Sequence, residues 1–405
     1  MFMTPLIFHA IDFSAREVGS GLAVSALIGT VVRLLSGALL DRGIRCSWPI
    51  RATTLLAIGA DLILLQAGNY NSYLLGQLLG CAAGLYWPAI ELAVPLSCGS
   101  LPSGRGYALV RSADALGIGI GTLIGTAAAT LGILRTVYSV EAVCMATVLV
   151  LISLYPLQDG PPYRVLNGIN REPGDRLPTT RLPWLLPLLP VLVISVVATG
   201  ILALQQSALP LDLVRGGLMR PALSESHSSA LIALHLILLV SLQWPVGRWL
   251  AERSVAFGLG LSLAGFSVGC SLIALSSLFE SGTALVLAAL LPMAFAQAAF
   301  LPTATEAVIE ETPPEHRGLA MALFSQCFAV SAIVAPLAGG ALLDLQSNGL
   351  LLWLLMGGAC LVVLPTLRNL KPRYRATTTD ADDSVLEQES QRLDAVAGGS
   401  SPLRR

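Results

Sequence analysis

Charge is scarce in this sequence. Of 405 residues only 12% are Asp, Glu, Lys or Arg, about half the roughly 25% of a soluble domain. So few charges cannot cover the water-facing surface of a chain this long, which excludes an ordinary soluble globular protein. Lys371 is the only lysine, so arginine carries nearly all the positive charge. A formal net charge of −1 gives no electrostatic reason to expect a nucleic-acid partner. The four histidines are scattered and supply no cluster of nucleophile, base or metal ligands, which argues against a polytopic membrane enzyme. The seven cysteines contain no Cys-x-x-Cys pair and no Cys/His ligand spacing. Most lie inside apolar runs and read as small core hydrophobes rather than disulfides or a metal site. No phosphate-binding glycine loop is present, so an ATP-driven pump is not expected, and neither is a cofactor or metal. Alternating segments of about 10 residues, as a membrane β-barrel needs, are missing. The first apolar stretch has no basic lead and no cleavage site, so a cleavable signal peptide is not expected.

What the sequence has in abundance is apolar length. Hydrophobic residues make up 54%, mean hydropathy is +0.73, and apolar runs longer than about 18 residues recur along the chain. The class is an all-α polytopic membrane protein. Spanning helices are expected at 18–40, 50–68, 72–97, 106–131, 137–157, 184–210, 226–248, 255–278, 283–309, 317–343 and 348–368, eleven in all. Met1 to Ile11 is apolar but too short to cross about 30 Å of hydrocarbon. It reads as the outer end of a first helix whose beginning is missing, through a misplaced start site or a real truncation.

Arginine placement orients the chain. With the Gly37-x-x-x-Asp41-Arg42 link in the cytoplasm, one side collects Arg42 to Arg51, Arg105, Arg111, Arg164 to Arg181, Arg248, Arg253, Arg317 and Arg368 to Arg375. The other collects only Arg16, Arg135, Arg215 and Arg220. This positive-inside bias supports both the helix count and a cytoplasmic C-terminus in a cell (inner or plasma) membrane. Residues 158–183 are polar and rich in Pro and Gly, and read as a cytoplasmic linker between a helical half at 1–157 and a second at 184–369. Residues 370–405 read as a disordered cytoplasmic tail, with room for a short helix near Val385–Leu393. The halves repeat each other. Pro88 matches Pro302 and Gly125 matches Gly339, each 214 positions on, and Arg105-Gly106 matches Arg317-Gly318 two positions out of register. Glu252-Arg253 falls where an echo of Asp41-Arg42 belongs. Duplicated six-helix halves are a transporter plan, with the substrate near the midplane between them.

On these motifs the chain resembles the major facilitator superfamily over about residues 1–370. The family signature between helices 2 and 3 matches at Gly37, Asp41 and Arg42, with Gly43 one place early and Arg45 closing it. Gly80-x-Ala-x-Gly84-x-x-x-Pro88 fits the fourth helix, and Thr312-Pro-Pro-Glu315-His-Arg317-Gly318 fits the link between helices 10 and 11. The resemblance implies two pseudo-symmetric six-helix halves and secondary transport. It also implies that Asp41 acts as an inner latch near the start of the helix after Thr312-Pro-Pro, whose free N–H groups favour an anion. Two solvated interfacial charges are the plain alternative for Asp41 and Arg42. Three departures weaken the case for proton antiport. The fourth-helix arginine would fall at Gly76 or Gln77 and is absent, Thr122 replaces a proline that survives at Pro336, and Ala251-Glu252 stands where an Asp is expected.

Charges inside the apolar helices point to a further site. Arg33, Glu91, Arg111 and Asp114 come from three helices, ~9–14 Å inside their cytoplasmic ends at about 1.5 Å per residue. Charges in hydrocarbon are costly alone, so one balanced network is expected, with Arg111 and Asp114 on a shared helix face. Snorkelling to the interface is the alternative, realistic for Arg111 and weak for Glu91. His235, near mid-helix, is a candidate carrier of a coupling proton or a structural hydrogen-bonded histidine. Asp61 is similarly deep but on a helix that packs outside the cavity in this family. Gln205, Gln206, Gln297 and Gln326 are candidate substrate ligands, Tyr86 and Trp87 a candidate aromatic wall, and Glu306 a further candidate. Helix packing is the plain reading of each. The expected function is a secondary active transporter moving a small organic molecule by alternating access across the bilayer, as a monomer. Proton-coupled efflux is the leading form. A sugar or metabolite importer and a transport-inactive protein of the same fold are the alternatives.

Overall fold

Hydrocarbon offers no water to backbone N–H and C=O groups, so long apolar segments close their hydrogen bonds along themselves. The computed structural model describes residues 15–98, 102–157, 184–346 and 348–370, and every regular element among them is helical. The first half holds α1 (Ala15–Asp41), α2 (Ser47–Gln66), α3 (Tyr70–Gly80), α4 (Ala83–Ser97), α5 (Ser103–Thr130) and α6 (Thr136–Leu154). The second holds α7 (Leu185–Arg215), α8 (Glu225–Leu250), α9 (Val255–Ser276), α10 (Gly282–Glu311), α11 (Arg317–Gln346) and α12 (Leu350–Val363). A 3-10 turn, Pro314–His316, leads into α11, and another, Leu364–Asn369, follows α12. With α3 and α4 forming one crossing, eleven segments are long and apolar enough to span a membrane. They belong to one compact unit, Met1–Leu370, while Lys371–Arg405 forms a second unit. The expected helix-1 stub at Met1 to Ile11, the linker at 158–183 and the tail from residue 371 lie outside the described residues.

Two expected boundaries need correction. The crossing expected at 72–97 is broken at Cys81 and Ala82, where Gly84 N–H bonds Cys81 O at 2.9 Å and Leu85 N–H bonds Ala82 O at 2.8 Å. Pro88, four residues on, cannot donate to Gly84 O and its ring crowds that carbonyl, so the turn before it tightens. In contrast, α7 does not stop at Pro210 but continues to Arg215. The bond that Pro210 forfeits would have gone to the carbonyl of Gln206, an exposed residue.

The turn after α1 shows why a glycine stands at position 43. Gly43 has φ 93°, a conformation that costs an L residue roughly 1–2 kcal/mol. Its N–H bonds Leu40 O at 2.9 Å, and Ile44 N–H bonds Leu39 O at 3.2 Å. This pair of bonds is a Schellman C-cap, which ends the helix and turns the chain within a few residues. At the far end of the second half, Asp212 and Arg220 form a wholly buried ion pair at 3.2 Å. Asp212 also accepts from Gly349 N–H at 3.0 Å and from Trp353 Nε1–H at 3.1 Å. Arg220 donates to Ser276 Oγ at 2.5 Å and to the carbonyl of Asp212 at 2.8 Å. One pair thus ties the ends of α7, α9 and α12 together.

The halves meet through α1 packed on α11 and α5 packed on α8, two contacts that the internal repeat exchanges with each other. Two stability predictions follow from this frame. Arg220→Leu leaves Asp212 buried without its cation and should cost about 3–5 kcal/mol, read as a lower thermal unfolding midpoint in detergent. Gly43→Ala should cost about 1–2 kcal/mol in the same measurement, while Gly117→Ala, with open space around it, should leave the midpoint unchanged.

Candidate functional site

The α1–α11 seam is built from one face of each helix. Asp41, Gly37, Arg33 and Thr30 succeed one another at spacings of four, four and three, which places them on one stripe of α1. Asp41 Oδ1 accepts from Gly318 N–H at 2.6 Å and Oδ2 from Leu319 N–H at 2.9 Å, two donors in the first turn of α11. Those N–H groups have no partner inside their helix, so a carboxylate there satisfies them and meets the positive end of the helix dipole. The approach requires glycine on both sides. A Cβ on Gly37 would stand 2.5 Å from Gly318 O and 2.8 Å from Ala322 Cβ, and one on Gly318 would stand 2.8 Å from Asp41 Oδ1. Further along, Arg33 donates to Ser325 O at 3.2 Å, and Gln326 Nε2 donates to Thr30 O at 3.0 Å.

The α5–α8 seam repeats this geometry with other side chains. A Cβ on Gly247 would stand 2.6 Å from Ala108 Cβ, as one on Gly37 would meet Ala322, and these residues are repeat partners. The Asp41 equivalent is missing. Ala251 packs against Gly104 instead, and Glu252 reaches sideways to Arg105 at 2.6 Å in an exposed ion pair. A carboxylate still stands at the start of α5, supplied by Glu306 of α10. It is buried, accepts from Ser103 Oγ at 3.3 Å, and its Oε2 would lie 2.5 Å from a Cβ on Gly104. Glu306, a candidate for the substrate or proton site, therefore lies at the seam between the halves.

One helix turn deeper, Glu91 of α4 pairs with Arg111 of α5. Arg111 also holds Asp114 at 3.1 Å and the Thr305 hydroxyl of α10 at 3.4 Å. Glu91 and Arg111 are buried, and Tyr107 hydroxyl fixes α5 to the Glu91 carbonyl at 2.9 Å. The expected four-charge network is corrected at Arg33, which turns away from Glu91 to the α11 carbonyl and belongs to the seam. A carbonyl satisfies a guanidinium with no counter-charge, which sequence spacing could not reveal. Thr305, Ser103, Ser325 and Thr30 escaped the sequence reading because neutral side chains and carbonyls carry no charge signal. Arg317 stays close to its own turn, donating to Thr312 O at 3.4 Å. Arg42 and Arg45 are exposed, with no ion pair among the described residues. Arg253 lies over the rings of Trp249 and Phe257, 5.7 and 5.8 Å from their centroids.

The remaining candidates separate. His235 of α8 and Gln297 of α10 meet at 3.3 Å, and Gln205 of α7 shares a small cavity with His235. Gln206 is exposed and lies outside this group, and Gln326 belongs to the α1–α11 seam. Tyr86 and Trp87 pack edge to face, 5.7 Å between centroids, with Tyr86 against the core and Trp87 exposed. Asp61 is buried on α2. Among the described residues no group of three or more His, Cys, Asp or Glu is placed to hold a metal ion. Beyond the seam, large apolar side chains are exposed along α5 (Leu116, Ile118, Ile120, Leu123) and α11 (Val330, Ile333, Val334, Leu337).

Comparisons with known proteins agree with this arrangement. No curated protein sequence matches the chain. Among solved structures, the transporter FucP in its outward conformation superposes with a TM-score of 0.74 at 12% identity, covering 90% of this chain and 92% of FucP. The proton:xylose symporter XylE gives 0.69 at 13% identity, covering 89% and 88%. The human organic anion transporter MFSD10 gives 0.68 at 15%, covering 89% and 87%. The sequence profile of the Major Facilitator Superfamily matches residues 1–216 and again 191–401, once for each half. The chain therefore belongs to the Major Facilitator Superfamily of membrane transporters.

Proposed function

We propose that this protein is a secondary active transporter that moves a small organic molecule across a cell membrane by rocking its two halves, with a proton as the coupling ion and efflux or exchange as the direction. The observation that carries the reading is the position, among the described residues, of the polar bonds between the halves. Those from Asp41, Arg33, Gln326, Ser103, Arg105 and Arg111 all fall between the Asp41 end and the level of Thr30. The arginine bias puts that end in the cytoplasm. A molecule tied at its inner end is closed to the cytoplasm, as one of the two states that alternating access requires. Helices carrying glycine where they cross can separate and re-form without reshaping side chains.

The Asp41 carboxylate is then the switchable part of the inner gate. Hydrogen bonds to a charged group are each worth about 1.5–3 kcal/mol, and they break when the inner end opens. A second reading, import of a sugar, is favoured by the fold likeness to FucP and to the xylose symporter XylE. In that case the same gate serves inward delivery. Flux into and out of proteoliposomes separates the two: uptake of pentose or deoxyhexose supports import, and extrusion of organic ions supports efflux, each with and without a pH gradient.

Two outcomes test the gate itself. Asp41→Asn removes the charge and one acceptor, so a cysteine at Ser325→Cys should label about tenfold faster or more from the cytoplasmic side. An unchanged labelling rate refutes the latch. Gly37→Leu and Gly247→Leu put side chains where a Cβ already meets Gly318 O at 2.5 Å and Ala108 Cβ at 2.6 Å. Both should abolish flux in protein that is expressed and monodisperse, whereas Gly121→Leu, in open space, should retain it. Full flux in either crossing variant sinks the two-seam gate.

A further inference from the structure

Inside the second half, three polar side chains from three helices meet in an apolar setting that the gate does not use. His235, Gln205 and Gln297 lie ten, ten and fifteen residues from the ends of α8, α7 and α10 remote from Asp41. That is ~15–22 Å at about 1.5 Å per residue, near mid-membrane. His235 is 9% exposed and Gln205 is 7% exposed. His235 Nε2 faces Gln297 Oε1 at 3.3 Å, and the backbone of Leu290 on α10 lies beside the imidazole. Beside the ring lies a cavity of about 20 Å³, bordered by Gln205, His235 and five aliphatic or methionine side chains. Gln205 Nε2 is buried without a partner. One water needs about 10–15 Å³ of such space, so the cavity has room for one molecule, which the orphan amide can bind.

The ring's partners constrain its protons. A neutral imidazole has one N–H and one acceptor nitrogen, while an imidazolium has two N–H groups. The Leu290 carbonyl is locked in its helix and can only accept. Gln297 can present either its oxygen or its NH2 to the other ring nitrogen. The arrangement with Oε1 toward the ring suits the imidazolium, and the arrangement with NH2 toward the ring suits neutral histidine. The half-buried Gln297 thereby exposes a donor in one state and an acceptor in the other. No charged side chain lines the cavity from α7, α8, α9 or α10, so no fixed charge holds His235 in one form.

We propose that Gln205, His235 and Gln297 form the coupling-proton site of this transporter: His235 takes one proton from water, and the Gln297 amide turns to report it. The proton arrives by way of the water held at Gln205, and it returns to water when His235 becomes neutral. This rests on the transporter reading and gives its coupling ion a place. The site sees the proton as a change in the hydrogen-bonding group that α10 presents, not as a change in fold.

The test reads the site without any substrate, so it can fail or succeed independently of the transport assay. The full chain is labelled with 15N-histidine and studied by NMR in lipid nanodiscs from about pH 5 to about pH 8, the range in which histidine titrates. Four histidines are present, and loss of one signal in His235→Gln assigns the ring. The expected result is one tautomer at high pH and both nitrogens protonated at low pH. Gln297→Leu removes an acceptor from the imidazolium and should lower the midpoint by about one pH unit; Gln297→Glu should raise it. Circular dichroism confirms that each variant is folded. A ring that keeps one form across the range, or a midpoint that ignores both Gln297 variants, overturns the proposal. In proteoliposomes that show flux, His235→Gln should remove the dependence of that flux on a pH gradient. Retained gradient dependence also overturns the site while leaving the transporter reading standing.

Discussion

The two hydrogen bonds that the Asp41 carboxylate accepts from the Gly318 and Leu319 N–H groups, in the first turn of α11, are the contact around which the junction of the halves is arranged. A carboxylate can lie there only if the helices approach closely, and they approach closely only because Gly37 and Gly318 have no side chains. It also needs α1 to end at that residue, which the left-handed Gly43 accomplishes two positions later. Once α1 and α11 are in contact, Arg33 and Gln326 are brought to opposing carbonyls without further requirement, because they lie on the same stripes. The order of cause runs from backbone approach to polar bonds, not the reverse.

The internal repeat reproduces the approach but not the chemistry. Gly247 against Ala108 preserves the crossing, so backbone distance has been kept on both sides of the pseudo-twofold axis. The anion has not. Ala251 occupies the place of Asp41, and the carboxylate near the start of α5 comes from Glu306 on a different helix. A buried carboxylate at a helix start contributes more than an exposed ion pair such as Arg105–Glu252, which solvent screens. The two seams are thus unequal in kind: one is closed by a bidentate contact from the crossing helix itself, and the other by a neighbour reaching across from α10.

How much of this was legible in the sequence depends on what carried the signal. Apolar run length located the spans, because lipid thickness allows few alternatives. Run length did not reveal the detail at two prolines: Pro210 is accommodated within α7, and Pro88 tightens the turn ahead of it. The pairing of Glu91, Arg111 and Asp114 could be anticipated from depth, which follows from counting residues. The destination of Arg33 could not, because a carbonyl on another helix leaves no trace in sequence. Glu306 illustrates the same limit: its contact with the start of α5 leaves no trace in sequence. The Asp212–Arg220 pair was invisible for another reason. In sequence Arg220 is only one of the few arginines between the spans on the other side, whereas the loop folds back and buries its side chain completely.

The helices that close the inner end also carry the mid-membrane polar group. On α8, His235 lies twelve residues from Gly247, and on α10, Gln297 lies eight from Thr305. Pro245 falls between the first pair and Pro302 between the second. Proline removes one backbone hydrogen bond and concentrates bending at its own turn. A helix with such a joint can keep its mid-membrane part fixed in the core of the second half while its inner end moves relative to α5. The Pro302 ring would lie only 3.6 Å from a Cβ on Gly247, so the α10 joint packs against α8 where both helices meet α5. His235 and Gln297 thus lie on the two helices that meet α5 at the second seam. Coupling between the mid-membrane group and the gate needs no long chain of side chains, because the helices themselves span the distance.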